Sequence, residues 1–418
     1  MPLKIIICGS GIAGLSAAGF LRAKHQVTIL ERGTLDFTIN DYGMSIVSNA
    51  FNLLHKAGID ADHLNMVVMT HVWTRTPDNQ ELKTTHFDTR ARFGGFPSIL
   101  VKRAKLQEEL MRLAVSYQFK GAPAKIVQNA KVTKVDTAAG KVWTEDGTLF
   151  EGDLIIGADG IHSAVRGAIL GDQDISASIK TYDMLAFMTE ISVDDLRFNP
   201  GFYYLASPTA KAGLTSAHAS SGPQVSKHIL IYATSPDSLQ VVGYAPEKEF
   251  SKQFDSAKSA IIKDVPLATV VEELAPDFGE EFVNLFRENQ VDAWRIRDVI
   301  ALDNWYSGKA LLIGDAAHAV TPLAGQGSNM AIEDAEALGY LLRDVDSPDD
   351  IPSALKKFMA LRKGRVDFVR RRSHEIGGFQ MEREKKEEPI TSEEFARTIY
   401  SYQGAEKALS GQKKPGTG

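Results

Sequence analysis

Three short apolar runs, each followed directly by glycine, are the most regular feature of the hydrophobic pattern. They are Lys4–Cys8, Asp153–Ile156 and Ala310–Ile313. Nearly uninterrupted apolar runs of this length are typical of strands buried on both faces, as in a parallel sheet. After the first run, the Ala- and Leu-rich stretch Leu15–Leu21 predicts a helix and Val27–Leu30 predicts a second strand. The N-terminus is therefore predicted to form a strand–helix–strand unit.

The remaining pattern predicts helices and further strands along most of the chain. Helices are predicted at Ser48–Ala57, Lys102–Tyr117, Glu249–Lys263, Leu267–Ala275, Glu280–Asn289, Ser328–Leu342, Ile351–Ile376 and Thr391–Leu409. Strands are predicted at Met66–Val72, Gln80–Phe87 and Ile99–Val101, and short antiparallel strands at Ala124–Val135, Lys141–Glu145 and Thr148–Phe150. After about Gly171, strand-like runs alternate with turns at Met184–Val193, Gly201–Ser207, Ile229–Thr234 and Leu239–Tyr244. This alternation predicts an antiparallel sheet in a second domain.

Composition narrows the class of protein without identifying it. The chain has 418 residues, long enough for two to three domains. A net charge of −6 argues against nucleic acid as a main partner. The single cysteine, Cys8, lies within the first predicted strand, which excludes an internal disulfide framework and favours a reducing compartment. No apolar run is long enough to span a membrane, so we expect a cytoplasmic protein.

The turn after the first strand has the spacing of a dinucleotide-binding fingerprint. Gly9 would allow the tight turn, Gly11 would let a pyrophosphate approach the backbone, and Gly14 would let the helix pack on the strand. The N-terminus of the helix offers free N–H groups to the phosphates. Glu31, which ends the second strand, is placed to accept hydrogen bonds from an adenosine ribose. The fingerprint by itself does not distinguish NAD from FAD.

Two further glycine-bearing turns follow the other two apolar runs. The second turn begins with Gly157-Ala158-Asp159-Gly160 and continues to Arg166. The third begins with Gly314-Asp315 and continues through His318 and Pro322 to a glycine-rich segment around residues 325–329. In a doubly wound sheet, such strand ends meet at one crevice, where ligands bind.

These three motifs together resemble those of the FAD-dependent aromatic hydroxylases, the single-component flavoprotein monooxygenases such as salicylate and hydroxybenzoate hydroxylases. The resemblance covers roughly residues 1–60, 95–170 and 290–375 and is weak across about 172–290. It implies an α/β fold: a Rossmann-like FAD-binding domain of the glutathione-reductase type, an inserted antiparallel-sheet substrate domain and C-terminal helices. The implied FAD-binding domain comprises residues 1–70, 98–172 and 291–378, and the substrate domain 71–97 and 173–290. Residues 379–418 would form a C-terminal helix and a flexible tail.

The resemblance also implies which residues bind the cofactor. They are Gly9, Gly11, Ala13, Gly14, Glu31, Arg32, Arg103, Asp159, Arg166, Asp315, Gly325, Gly327, Ser328 and Asn329. Asp315 would accept hydrogen bonds from the ribityl chain, and backbone N–H groups near Asn329 would face the pyrimidine end of the flavin. Each assignment has a structural alternative. Asp315 could cap the following turn, Arg103 could be a solvated residue at a helix start, and Asp159 with Arg166 could tie a loop to a helix.

Candidate catalytic residues are Tyr204, His218 and Pro322. Tyr204 and His218 fall in the predicted second sheet, where a pocket wall or an acid–base group could lie, but packing and a surface position are the alternatives. His318 is interpreted as structural, satisfied by backbone groups. The basic residues between Arg362 and Arg372 are interpreted as a solvated helix face, with attraction of a reduced nucleotide as the weaker alternative. The histidines and the one cysteine show no metal-ligand spacing.

By resemblance, NADH or NADPH would reduce FAD, dioxygen would add, and a flavin hydroperoxide would hydroxylate a small aromatic, phenolic or phenolic polyketide substrate. An epoxidase or ring-oxidising enzyme acting on an isoprenoid or other natural product would share the motifs, and a non-catalytic flavin-binding sensor is a further alternative. A flavin-dependent halogenase is disfavoured because its Trp-x-Trp-x-Ile-Pro signature is missing. Substrate identity, NADH against NADPH and the acid–base residue stay open. The C-terminal helix could close a homodimer or cover the core.

Overall fold

The structure is a computed structural model. It describes residues 1–39, 41–171, 175–205, 213–219, 227–247, 260–287, 289–380 and 384–411. Its strands are β1 (Lys4–Cys8), β2 (Gln26–Leu30), β3 (Gly43–Ile46), β4 (Val67–Val68), β5 (His71–Arg75), β6 (Glu81–His86), β7 (Ile99–Lys102), β8 (Lys125–Val127), β9 (Val132–Asp136), β10 (Lys141–Thr144), β11 (Leu149–Glu151), β12 (Leu154–Gly157), β13 (Ile179–Ser192), β14 (Gly213–His218), β15 (His228–Ser235), β16 (Ser238–Pro246), β17 (Ile261–Ile262), β18 (Asp292–Val299), β19 (Tyr306–Ser307) and β20 (Ala310–Leu312). Its helices are α1 (Ile12–Leu21), α2 (Ser48–Ala57), α3 (Thr89–Phe93), α4 (Arg103–Val115), α5 (Ala164–Ile169), α6 (Leu267–Leu274), α7 (Glu280–Arg287), α8 (Asp315–His318), α9 (Gly327–Leu342), α10 (Ile351–Gly377), α11 (Ser392–Ile399) and α12 (Ala405–Gly411).

A six-stranded sheet joins the three apolar runs that the sequence singled out. Its order is β19-β20-β12-β1-β2-β8, with every pair parallel except β19 with β20. The central strands are buried, and helices α1, α9 and α10 contribute apolar residues to the same core. Because the strands are parallel, the turns that follow β1, β12 and β20 emerge at one edge of the sheet.

A second, eight-stranded sheet follows the order β17-β18-β13-β16-β15-β14-β5-β6. All its pairs are antiparallel except β14 with β5. Because successive side chains of a strand point to opposite faces of the sheet, the odd-numbered residues of the central strands lie on one face and the even-numbered residues on the other. The odd-numbered face packs against α6 and α7: a Cβ built at Gly243 would lie 2.9 Å from Leu274 and 3.2 Å from Phe286.

The even-numbered face of this sheet packs towards the parallel sheet and its helices. We call it the aromatic face and define it by Tyr182, Met184, Ala186, His228, Leu230, Tyr232, Val242, Tyr244, Trp294 and Ile296. Leu323, from the turn after α8, and Phe379, just beyond α10, pack against this face. The Tyr232 hydroxyl donates to the carbonyl of Gly43 at 2.9 Å, which joins the face to β3. One face of the large sheet is thus directed at the ends of the parallel strands.

Several local predictions are confirmed and others are wrong. The predicted helix Ser48–Ala57 matches α2, and the predicted helices at Leu267, Ser328 and Ile351 correspond to α6, α9 and α10. The segment Gly201–Ser207 is not a strand over its described part, because Pro200 opens a 3₁₀ turn that runs to Leu205. The predicted helix Glu249–Lys263 lies mostly outside the described residues, and its end contains the strand β17.

Two further corrections concern breaks in predicted elements. The run Ala124–Val135 divides into β8 and β9 where Asn129 adopts a positive φ of 55°, and β8 pairs in parallel with β2 rather than antiparallel. The predicted helix Thr391–Leu409 is two helices, since Gly404 adopts a φ of 107° that a helix interior does not accommodate. Thr391 caps the first of them, as expected, by accepting from the backbone N–H of Glu394. Strands β14 and β18 had no counterpart in the sequence pattern.

No helix among the described residues is both long and apolar enough to cross a membrane. The 27-residue α10 is the longest helix in the described part of the chain, and it is rich in arginine and lysine.

Candidate functional site

The turn after β1 depends on three glycines that face different surroundings. A Cβ built at Gly9 would lie 2.5 Å from the carbonyl oxygen of Ala158, and one at Gly14 would lie 2.0 Å from that of Gly9. At both positions a side chain would therefore clash with the protein's own backbone, and Gly9 also has a φ of 104°. A Cβ at Gly11 would meet no described atom within 4 Å. Folding therefore does not require glycine at position 11, whereas a ligand that approaches the backbone there would.

The N-terminus of α1 follows directly, with Ala13 in its first turn. Among the described residues no side chain caps this end, and no acidic residue lies in the first turn. The first N–H groups of a helix have no partner within the helix, and the dipole places partial positive charge there. Together with the open side at Gly11, this arrangement is suited to a pyrophosphate.

Glu31 connects the end of β2 to the glycine turn. Its Oε2 atom accepts hydrogen bonds from the backbone N–H of Ser10 at 2.8 Å and from the Ser10 hydroxyl at 2.6 Å. Its Oε1 atom accepts from the N–H of Gly33 at 3.0 Å. A carboxylate has about four acceptor positions, so these three bonds leave capacity for a sugar hydroxyl. The neighbouring Arg32 is exposed.

The turn after β12 is built by Asp159 and Arg166. Asp159 Oδ2 accepts from the N–H of Ala164 at 2.8 Å and so holds the start of α5. Burial raises the pKa of this carboxyl, and its Oδ1 atom has no partner among the described residues. Arg166 is fully buried and donates to Ser178 Oγ, to the Ile161 carbonyl and to the Ala316 carbonyl, the last at 2.9 Å. Arg166 thus ties two of the turns together, and its contact with a cofactor stays a prediction.

Asp315 begins α8 in the turn after β20. Its side chain is exposed, yet the enclosing protein raises its pKa, while the positive charges of His318 and Arg103 act in the opposite direction. A side chain that is exposed to solvent and yet largely surrounded by protein is typical of the wall of a concave site. Arg103, at the start of α4, is half-buried and lies 5.9 Å from the Tyr42 ring centre; it has no ion pair within the described part of the chain. Burial raises the pKa of Tyr42, Arg103 lowers it, and Asp315 raises it further.

The three turns are in mutual contact. Besides the approach of Gly9 to Ala158, a Cβ at Gly314 would lie 2.7 Å from the Ala13 Cβ. Neighbouring strands lie about 4.8 Å apart, so the ends of β2 and β20, with β1 and β12 between them, are separated by about 14 Å. Glu31 and Asp315 therefore lie at the two ends of one continuous edge, as an extended dinucleotide requires.

A buried network of charges holds the turn after β20 in place. Asp334 Oδ2 accepts from the N–H of Gly314 at 2.9 Å and from His318 Nε2 at 2.6 Å, and its Oδ1 accepts from Arg362 Nε at 2.8 Å. The Arg362 guanidinium also pairs with Glu333, and all these side chains are buried. These positive partners hold the pKa of Asp334 below its ordinary value despite burial.

Two sequence-based interpretations are corrected by this network. The basic stretch of α10 is not simply a solvated face, because Arg362 and Arg370 are buried and ion-paired. Their partners lie on α9 and α10 and could not be inferred from a run of like charges. His318 is structural as expected, but a carboxylate on α9 rather than backbone groups satisfies it.

The segment from Pro322 to Asn329 separates the turn after β20 from α9. Pro322 is exposed and starts a 3₁₀ turn that ends at Gly325, whose φ is 62°. Gly327 begins α9, Ser328 follows it, and no side chain within the described residues caps this helix end. Asn329 is buried: its Oδ1 accepts from the N–H of Val47 at 2.9 Å and its Nδ2 donates to the carbonyls of Ser45 and Gly325. Asn329 therefore shapes the loop, and its backbone is the part available to a ligand.

His218 and Tyr204, both catalytic candidates, lie on different faces of the large sheet. His218 stacks on His228 at 5.2 Å, and His228 stacks on Tyr244 at 4.2 Å, so His218 extends the aromatic face. Desolvation lowers the pKa of His218. Tyr204 instead packs beside Trp73 and Phe202 on the side of α7, with its hydroxyl 2.8 Å from Thr215. Tyr204 therefore packs on the face of the sheet opposite the aromatic face, and its catalytic role stays a prediction.

Other residues of the site were missed at the sequence level. Tyr42 packs edge-on against Trp294 at 5.3 Å, between the start of β3 and the aromatic face. Tyr182, Asp298 and His374 form a buried polar cluster at the margin of that face. They lie on β13, β18 and α10, far apart in sequence, so only the paired strands bring them together. The described residues contain no cluster of His, Cys, Asp and Glu that could hold a metal ion.

Comparison with known proteins agrees with this geometry. A family described as "FAD binding domain" matches residues 3–373. Hispidin-3-hydroxylase of Neonothopanus nambi is 30% identical over 379 residues, which cover 89% of this chain and 88% of that protein. 3-Amino-4-hydroxybenzoate 2-monooxygenase PtmB3 of Streptomyces platensis is 28% identical over 389 residues, covering 90% of this chain and 87% of the relative.

Solved structures show the same fold. A salicylate hydroxylase substrate complex superposes with a TM-score of 0.73 at 19% identity, covering 100% of this chain and 99% of that one. HpxO of Klebsiella pneumoniae, complexed with FAD and uric acid, superposes with a TM-score of 0.72 at 21% identity, covering 98% of this chain and 95% of that one.

Proposed function

The chain belongs to the FAD-dependent aromatic hydroxylase family, and from that premise we propose that it uses NADH or NADPH and dioxygen to hydroxylate a small phenolic ring. We interpret its parallel sheet as a Rossmann-like FAD-binding domain of the glutathione-reductase type and its eight-stranded sheet as an inserted substrate domain. The observation that supports this most directly is the arrangement of the three turns. They form one edge, and the end of that edge at Asp315 lies next to the aromatic face.

The residues present fit FAD. The backbone at Gly11 and the N-terminus of α1 would receive the pyrophosphate, with Glu31 at the adenosine ribose. Asp315 would accept hydrogen bonds from the ribityl hydroxyls. The N-terminus of α9, near Gly327, offers N–H groups and a positive dipole end to the flavin ring. Arg103 would lie beside the ring or the pyrophosphate.

When bound, FAD would supply the redox chemistry, in which electrons from the reduced nucleotide activate dioxygen. The protein's contribution is position and exclusion of water. Pro322 and Leu323 lie between the flavin-binding turn and the aromatic face, and Tyr42 with Trp294 forms a further wall. A cavity walled by such side chains would place a planar ring and keep the reacting atoms dry.

A phenol is the substrate that this wall favours. Aromatic side chains stack well on a planar ring, and Tyr232 and His218 supply a few polar groups on the same face. The named relatives act on hispidin and on 3-amino-4-hydroxybenzoate, and both names describe hydroxylation or monooxygenation. We therefore expect phenols to be accepted, with an electron-rich ring position as the site of oxygenation.

The test is to purify the full chain, identify any bound flavin, and screen phenols, aromatic acids and phenolic polyketides for stimulated NADH and NADPH oxidation. Labelled dioxygen separates hydroxylation, with label in the product, from uncoupled formation of hydrogen peroxide. We expect FAD to be bound and at least one phenol to give labelled product. A chain that neither retains nor takes up FAD, or that gives no labelled product with any compound, would contradict the proposal.

A further inference from the structure

The aromatic face is open where the side chains of Met188, Leu230 and Trp294 project from it. These residues come from β13, β15 and β18, strands with a neighbour on each side, and yet all three are only half-buried. On the opposite face of the same sheet, Phe187 and Ile229 are fully buried in the core that includes α6 and α7. A side chain in the middle of a sheet stays accessible only where nothing packs directly in front of it. We call the space bounded by these three side chains and by Tyr42, Tyr232 and Tyr244 the aromatic chamber.

The aromatic chamber adjoins the end of the site assigned to the flavin. The Tyr232 hydroxyl donates to the carbonyl of Gly43 at 2.9 Å, at the start of β3. Tyr42, which directly precedes β3, packs edge-on against Trp294 with the ring centres 5.3 Å apart. Burial raises the pKa of the Tyr42 hydroxyl, and the negative charge of Asp315 raises it further. Tyr42 therefore links the carboxylate that would bind the ribityl chain to the chamber wall at Trp294.

The aromatic chamber disfavours a negative charge. Burial raises the pKa of the hydroxyls of Tyr42, Tyr232 and Tyr244, because the enclosing protein solvates a phenolate less well than water does. Tyr244 and Tyr42 each raise the pKa of Tyr232 further, which requires the three hydroxyls to lie close together. At the edge of the same face, desolvation lowers the pKa of His218, so a positive charge is disfavoured there too. A substrate carboxylate would meet the same loss of hydration.

Two lysines at the margin of the aromatic chamber are paired with carboxylates. Glu190 lies two residues from Met188 on β13, and the Lys102 ammonium is 2.6 Å from its carboxylate. Asp292 on β18 is the register partner of Met188, and the Lys263 ammonium is 2.6 Å from its carboxylate. Each lysine therefore already has an anionic partner, and a substrate carboxylate would have to compete for it.

Arg103 is a cation at the flavin end of the aromatic chamber. Its guanidinium lies 5.9 Å from the ring centre of Tyr42. Asp315 is close enough to balance this charge: burial raises the pKa of Asp315, and the positive charges of His318 and Arg103 act against that rise. Arg103 also lies where the anionic pyrophosphate or the ring of FAD would bind. The side chains that bound the chamber are themselves aromatic or aliphatic, so they provide no cation for a substrate carboxylate.

We propose that the aromatic chamber selects phenols without a carboxylate, such as phenolic esters, ketones and lactones, an inference that rests on the proposed function. A planar uncharged ring gains buried area and ring–ring contacts with Trp294, Tyr42 and Tyr232. A ring that bears a carboxylate would bury an anion without the bidentate cation that makes such burial tolerable. The chain would therefore differ in substrate charge from the salicylate hydroxylase whose fold it shares.

The experiment uses the FAD-loaded full chain and sets of phenols that differ in charge. Salicylate, 4-hydroxybenzoate and 4-hydroxycinnamate are each compared with their methyl ester and their amide at about pH 7.5, where the acids are ionised. The amides resemble the acids in size and so separate charge from bulk. Hydroxylated product carrying labelled oxygen is quantified, and kcat/KM is obtained for each compound. Leu230→Arg places a cation in the chamber, and Leu82→Arg is the matched control, the same change at a side chain of β6 that is 65% exposed.

We expect the neutral members of each accepted set to exceed the acid by about 100-fold in kcat/KM in the wild type. Leu230→Arg should reduce that ratio at least about tenfold by raising kcat/KM for the acid, while Leu82→Arg should leave it unchanged.

Acids that the wild type hydroxylates as well as their esters and amides would overturn the inference and leave the proposed function intact. So would an FAD-loaded Leu230→Arg variant whose ratio matches that of the Leu82→Arg control. If Leu230→Arg does not retain FAD, the ratio in the wild type decides by itself. Absence of labelled product from every phenol, charged or neutral, would instead overturn the proposed function, and this inference with it.

Discussion

The two large sheets place their candidate functional groups in different ways. In the parallel sheet, the groups lie in the turns after β1, β12 and β20, and each turn is continuous in sequence. In the antiparallel sheet, they lie on alternate residues of β13, β15, β16 and β18, and no single segment contains more than a few of them. Cofactor binding is therefore encoded locally, whereas the substrate-facing surface depends on how distant strands pair.

This contrast predicts which substitutions should affect FAD binding and which should affect turnover. Changes in the turns should affect FAD, through the backbone or through the charge network that supports it. Changes on the aromatic face should affect turnover while FAD stays bound. Changes on the odd-numbered face of the large sheet should affect neither, beyond a small cost in stability.

The largest effect is expected at the charge network beneath the turn after β20. The substitution Arg362→Met would remove the buried arginine that pairs with both Glu333 and Asp334 and leave these buried carboxylates with Arg365 and His318 as their charged or ionisable partners. We expect the free energy of unfolding to fall by about 3–5 kcal/mol, measured by denaturant unfolding. The substitution Arg343→Met, which removes an exposed pair with Asp344, should cost less than about 1 kcal/mol. Equal effects of the two substitutions would contradict the role of the network.

Next in size is a pair of glycine substitutions in the first turn. The variant Gly14→Ala places a Cβ against the Gly9 carbonyl and should destabilise the protein by about 1–3 kcal/mol. The variant Gly11→Ala meets no described atom, so its apoprotein should unfold like the wild type while binding FAD at least about tenfold more weakly. Thermal unfolding and flavin fluorescence titration measure the two quantities. If Gly11→Ala binds FAD normally, the pyrophosphate does not lie at this turn.

A smaller effect distinguishes the two faces of the large sheet. Tyr232→Phe and Tyr204→Phe each remove one hydroxyl, bonded to Gly43 and to Thr215 respectively, and each should cost about 0.5–1.5 kcal/mol of stability. Only Tyr232→Phe, on the aromatic face, should alter kcat or KM for a phenol, as measured by steady-state product formation. A comparable change in Tyr204→Phe would show that the substrate lies on the other side of the sheet.

The smallest predicted effect is a dependence of folding stability on pH, caused by Glu336 where α9 contacts the start of α12. Burial raises the pKa of Glu336 to about 7, and its carboxylate accepts from the N–H of Ala405 at 2.9 Å. Because the folded-state pKa lies above the unfolded one, folding takes up a proton between about pH 4.5 and 7, and stability falls as pH rises through that window. The uncharged variant Glu336→Gln should therefore gain on the order of 1 kcal/mol over the wild type at about pH 8 and nothing below about pH 4. Unfolding midpoints that differ equally at both pH values would contradict this origin.

The three glycine-bearing turns and most of the helices could be predicted from the sequence alone. The runs before Gly9, Gly157 and Gly314 are short and, apart from Lys4 and Asp153 at their starts, buried, so hydrophobicity and glycine spacing placed them in the parallel sheet. Thr391 illustrates a local capping signal that the structure confirms. These features depend on neighbours within a few residues of one another.

The aromatic face and the charge network could not be predicted in the same way. Tyr204 and Tyr232 are similar in type and local pattern, and only strand pairing and the position of α7 put them on opposite faces. Arg362 belongs to a basic helical run whose sequence gives no sign of the buried carboxylates on α9. Tyr182 and His374 are 192 positions apart and meet only in the folded protein.

The most direct test of a single FAD spanning the three turns is a flavin titration of the apoprotein. The wild type, Gly11→Ala and Asp315→Ala are compared with Asp346→Ala, a control at an exposed surface pair. We predict one FAD per wild-type chain and a Kd raised at least about tenfold by each of the first two substitutions but not by the control. Wild-type affinity in both Gly11→Ala and Asp315→Ala would contradict the shared site.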